Sequence, residues 1–81
     1  MKIKIDTKFN IGDVVYTPEF YDVYFASKTP HTITDIFVKA SHNQNVAVTY
    51  RIIQGQLTDV VSEKFLFATY EECRQWCDEQ Q

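Results

Sequence analysis

The sequence predicts a mostly β protein with one C-terminal α-helix: a small five-stranded barrel capped by a helix. Three observations lead there. The first two thirds are dense in β-branched and aromatic residues broken by turn signals; residue parity shifts in mid-strand; and after residue 61 the apolar period changes from two to that of a helix. Strands are predicted over residues 13–17 (DVVYT), 20–26 (FYDVYFA), 32–40 (TITDIFVKA) and 45–53 (NVAVTYRII), with a short fifth over 57–61.

Residues 45–53 alternate most cleanly. Val46, Val48, Tyr50 and Ile52 share the face predicted to be core, against Ala47, Thr49, Arg51 and Ile53. In 32–40, Ile33 and Phe37 fall on one face and Ile36 and Val38 on the other, so a bulge or sharp bend near Asp35 is required to reconcile them. Such bending is what closing a small sheet demands. Gly12-Asp13 reads as a turn, as do 41–44 and 54–56, the last with Gly55 supplying positive φ.

Thr69 followed by Glu72 is a capping box that starts a helix over about 69–80. Tyr70, Cys73, Trp76 and Cys77 form its apolar stripe, and Trp76 is expected to close one end of the barrel. The remaining helix positions make an acidic face, read as solvated rather than as a mimic of nucleic acid.

The chain has 81 residues, which suits one domain, with the barrel at about 9–68 and the helix after it. Twelve aromatic residues (one Trp, five Tyr, six Phe) supply a core for a chain that buries only about 60% of its unfolded surface. The net charge of -3 comes from the tail, where Glu71, Glu72, Asp78 and Glu79 face only Arg74. The one basic cluster is Lys2, Lys4 and Lys8 around Asp6, a poor footprint for duplex nucleic acid. The absence of an apolar run of about 20 residues or of a signal-like stretch gives a cytoplasmic expectation. Cys73 and Cys77 are then reduced thiols.

The strings FNIGDVVY (9–16), YRI (50–52) and VSEKFLFATYEE (61–72) resemble a set of small SH3-like barrel proteins of bacteria and bacteriophages, of the form F-x-I-G-D-x-V-Y, two middle strands, V-x-E-x-x-L-F-x-T and a closing helix. The resemblance spans nearly the whole chain and implies an SH3-like barrel in which Gly12, Asp13, Tyr50, Thr69, Glu72 and Trp76 serve packing. It brings no catalytic residues, and it implies an accessory or host-takeover role, including inhibition of a host defence enzyme. The chain departs from the pattern in its long aromatic segment at 20–25, where a shorter polar connection is expected.

That segment is the candidate site. Read as one strand, it places Phe20, Asp22 and Tyr24 on one face and Tyr21, Val23 and Phe25 on the other. Only one face can enter so small a core, so the other is either a partner-binding patch or part of the hydrophobic closure of the fold, with Phe20 and Tyr24 taken as the exposed pair. The candidate binding residues are Phe20, Tyr21, Asp22, Tyr24 and Phe25. Tyr16, Tyr21, Tyr24 and Tyr50 are also considered as an aromatic cage for a cation or as a stacking platform for bases.

Cys73, Cys77, His31 and His42 lack the spacing of a zinc signature, and both histidines are read as solvated. Neither a cysteine nucleophile nor a carboxylate pair built from Asp13, Asp59 or Glu63 has a visible partner in a cleft. The reading is a non-catalytic protein-interaction module without cofactor or metal, binding an unidentified protein. Single-stranded nucleic-acid binding by aromatic stacking and homodimerisation are its alternatives.

Overall fold

The computed structural model describes residues 6–43 and 45–80. Lys2 and Lys4 of the basic cluster and Gln44 of the predicted 41–44 turn lie outside the described residues. Among the described residues the fold is mostly β, 47% strand, with one C-terminal helix, and its main sheet curls into a half-barrel. Six strands, among the described residues, form two antiparallel sheets, where the sequence reading has five in one. They are β1 (Val14–Val15), β2 (Pro18–Tyr21), β3 (Val23–Ala26), β4 (His31–Ala40), β5 (Val46–Gln54) and β6 (Leu57–Ser62). A 3-10 turn, Glu63–Phe65, leads into helix α1, Tyr70–Glu79.

The main sheet has the order β1-β4-β5-β6, and β2 pairs with β3 alone. Tyr16 and Phe67 exchange backbone hydrogen bonds of 2.8 and 2.9 Å, bringing the end of β1 to the segment that enters the helix. The extra strand and the second sheet have one cause. The predicted single strand at 20–26 is a hairpin that reverses at Asp22, and it packs with α1 instead of joining the larger sheet.

The bulge near Asp35 is present, with the β4–β5 register shifting between Ile33 and Asp35. It turns both Ile33 and Ile36 toward the core, opposite Ile52 and Tyr50, and sends Phe37 to the outer surface. The core consists of Phe9, Val15, Ile33, Tyr50, Ile52 and Leu66, with Ile36, Val48 and Val61 packed against it. Val46, predicted as core, is exposed. Neighbouring β6 begins its pairing with β5 only at Thr49, so the far end of the β4–β5 ribbon extends beyond the core.

Two turns rest on positive φ. At Gly12, φ of 95° lets the chain fold so that the Asp13 carboxylate accepts the Asn10 N–H at 2.8 Å, while Gly12 N–H donates to the Ile33 carbonyl at 2.8 Å. Gly55, at φ 61°, turns β5 into β6 as predicted. Thr69 caps the helix, its hydroxyl accepting the Glu72 N–H at 3.2 Å. Glu71 and Glu72 occupy the first turn, where the helix dipole favours them. The predicted stripe faces inward, with Cys73 and Cys77 buried and Tyr70 and Trp76 half-buried.

Candidate functional site

The site is built on the β2–β3 hairpin. Asp22 stands at its tip with φ 63°, a left-handed conformation that Asp tolerates better than most side chains. Phe20 pairs with Tyr24, Glu19 with Phe25, and Tyr21 with Val23. A reversal centred on one residue preserves parity. Phe20 and Tyr24 therefore share a face, as a continuous strand also predicts, but as cross-strand neighbours.

Of the pair expected to be exposed, Tyr24 turns inward while Phe20 stays exposed. Tyr24 is half-buried against Trp76, ring centroids 5.0 Å apart at 74°. Trp76 continues to Phe65 at 5.7 Å and Phe67 at 6.0 Å. Instead of plugging a closed barrel, Trp76 joins the hairpin to the segment that follows the main sheet. Phe20 lies edge-on to Tyr24 at 5.0 Å yet stays 65% exposed at the margin of this cluster. Tyr21, Val23 and Phe25 project from the other face at 80%, 52% and 43% exposure.

The hairpin is thus anchored through Tyr24, with Phe20 exposed at the margin of that face and Tyr21, Val23 and Phe25 exposed on the other. Contiguous apolar side chains on a rigid element are what an interface uses, because little side-chain entropy remains to be lost on contact. The tyrosine cage does not form. Tyr50 is fully buried, and Tyr16 packs edge-on against Tyr70 at 6.5 Å.

A groove of about 340 Å³ opens beside the hairpin, between Glu19 and Tyr24 on one side and His31, Ile52, Asp59 and Val61 of the main sheet on the other. His31, read from the sequence as solvated, has its Nδ1 buried with no hydrogen-bond partner among the described residues. Nothing in the sequence links positions 19, 31 and 59, which only the packing of hairpin against sheet brings together.

The thiols are the other chemically distinctive groups. Burial, then the neighbouring Cys77, pushes Cys73 up to about 12, and burial also pushes Cys77 up. Both are held in the protonated, weakly reactive form. Among the described residues no group of three or more His, Cys, Asp or Glu side chains is arranged to hold a metal ion. His42 is exposed on the β4–β5 ribbon side, apart from half-buried His31 on β4.

Among the described residues, four of the six Lys and Arg side chains lie over rings of the protein itself. Lys8 lies 5.3 Å from the centroid of Phe9, Lys28 5.7 Å from Tyr70, Arg51 5.3 Å from Phe37 and Lys64 5.0 Å from Phe65. Arg51 also pairs with Asp35 at 3.3 Å. Among the described residues no helix is long and apolar enough to cross a membrane. No family model, curated protein or solved structure matches the chain.

Proposed function

We propose that the protein is a non-catalytic interaction module that binds a protein partner through the exposed face of the β2–β3 hairpin. Tyr21, Val23 and Phe25 make the contact, with Phe20 at its margin and Asp22 shaping the tip. The observation that carries this reading is that the hairpin is fixed on Trp76 through Tyr24 and leaves Phe20, Tyr21, Val23 and Phe25 exposed. The curled sheet, the Gly12-Asp13 turn and the closing helix support a small SH3-like barrel of the bacterial and phage kind, and with it an accessory role against a host enzyme. Nucleic-acid binding is the weaker reading, because the cations named above lie over aromatic rings of the body and Arg51 is paired with Asp35.

The test is site-specific photo-cross-linking in the cells that make the protein. A benzophenone side chain at position 21 should trap one protein species that the same probe at Lys39 does not trap. Tyr21→Ser with Phe25→Ser should remove capture by a probe placed at Val23. Equal labelling from positions 21 and 39, or co-purification of nucleic acid alone that falls steeply with salt, overturns the reading.

A further inference from the structure

The groove beside the hairpin combines features that an apolar interface does not need. Ile52, Val61 and Phe65 line it with apolar side chains, Tyr24 and His31 add rings, and the acidic residues Glu19 and Asp59 complete its lining. None of its described lining residues is Lys or Arg. Its volume of about 340 Å³ is at the small end of ligand sites, which run from about 300 to 1,000 Å³.

Two arguments specify the occupant. Carboxylates beside apolar walls are less screened than carboxylates in open water, so together they favour a positive charge. An apolar lining with carboxylates beside it fits an amphipathic side chain, one with a hydrocarbon stem and a cationic head.

We propose that this groove receives a basic side chain, a lysine ammonium or an arginine guanidinium, presented by the protein partner. The stem lies on Ile52 and Val61. The head is held by Glu19 and Asp59 beside the Tyr24 ring. Glu19 lies on β2 on the same face as Tyr21 and opposite Phe25, so a partner spread over that face reaches the groove without a break. The source of the cation rests on the interaction reading above, whereas the groove's preference for a cation does not.

Small probes test that preference on the full chain. In an NMR titration, N-acetyl-lysine amide and N-acetyl-arginine amide should each give saturable shifts at His31, Ile52 and Val61. The neutral isostere N-acetyl-norleucine amide should bind at least about tenfold more weakly, a difference near 1.4 kcal/mol. Glu19→Gln with Asp59→Asn should weaken lysine-amide binding by a similar factor. Asn keeps the oxygen that accepts the Val60 N–H, so this variant removes charge without uncapping the strand.

Norleucine amide binding as tightly as lysine amide, no saturable shift at all, or indifference to the double substitution each overturns the inference. The two proposals fail separately. Probes that bind normally while position 21 traps nothing refute the hairpin contact, and a groove that ignores the probes leaves that contact standing.

Discussion

The Tyr50 hydroxyl donates a hydrogen bond to the Glu63 carboxylate, tying the middle of β5 to the 3-10 turn. The same hydroxyl accepts the Phe9 N–H at 3.3 Å, and Glu63 also accepts the Lys8 N–H at 3.1 Å. The segment before β1 is thereby held to the sheet by one phenol and one carboxylate. Phe9 lies edge-on to the Tyr50 ring, centroids 5.7 Å apart, and seals the knot from water. Tyr50→Phe keeps the packing but leaves the Phe9 N–H and Glu63 without this partner, at a cost of about 1 to 3 kcal/mol. Urea unfolding should show it as a lower midpoint with unchanged slope.

Alkaline pH should attack the same place. Burial first, then the hydrogen bond to Glu63, pushes the Tyr50 phenol up to about 12 from 10.0. A raised folded-state pKa means that the unfolded chain loses its proton more readily, so the contribution is complete below pH 10 and is lost between pH 10 and about 12. Cys73 acts in the same direction from pH 9.0 upward. Stability against urea should be flat from pH 7 to about 9 with respect to these groups and then fall. Tyr50→Phe should make the fall shallower above pH 10, and an identical fall in that variant would exclude Tyr50 as its source.

Trp76→Ala should uncouple the hairpin from the rest. Trp76 touches Tyr24 on the hairpin and Phe65 and Phe67 beyond the main sheet. Its loss should cost about 3 kcal/mol, the low end for a large aromatic because the ring is only half-buried. Hydrogen exchange should quicken at Phe20 and Tyr24 more than at Tyr50 and Ile52. Equal acceleration everywhere would mean that Trp76 supports the fold as a whole.

Local signals in the sequence were sufficient for the helix, its Thr69 cap, the Gly55 turn and the bulge before Asp35, since each depends on residues a few positions apart. The fate of residues 20–26 was not legible in the same way. A strand with a turn-tolerant Asp in the middle has the same face parity as a hairpin reversing at that Asp, so periodicity cannot distinguish them. Which face turned inward depended on Trp76, about fifty positions away, and the groove on Glu19, His31 and Asp59, which have no sequence relationship. Val46 had the right parity for the core but sits beyond the end of β6, a length mismatch that alternation cannot reveal.

The free edge of the main sheet is β6, and Asp59 guards it. Its Oδ1 accepts the N–H of Val60 at 2.8 Å, engaging an amide that a pairing strand would otherwise use. Leu57 and Val60 nearby are 72% and 53% exposed, so the edge carries apolar side chains suited to a second copy of the chain. Asp59→Ala removes both the cap and the charge, and sedimentation should then show concentration-dependent association. Asp59→Asn keeps an oxygen for Val60 and should remain closer to the parent. If Asp59→Ala sediments as the parent does at every concentration, the carboxylate is not what keeps this edge from pairing.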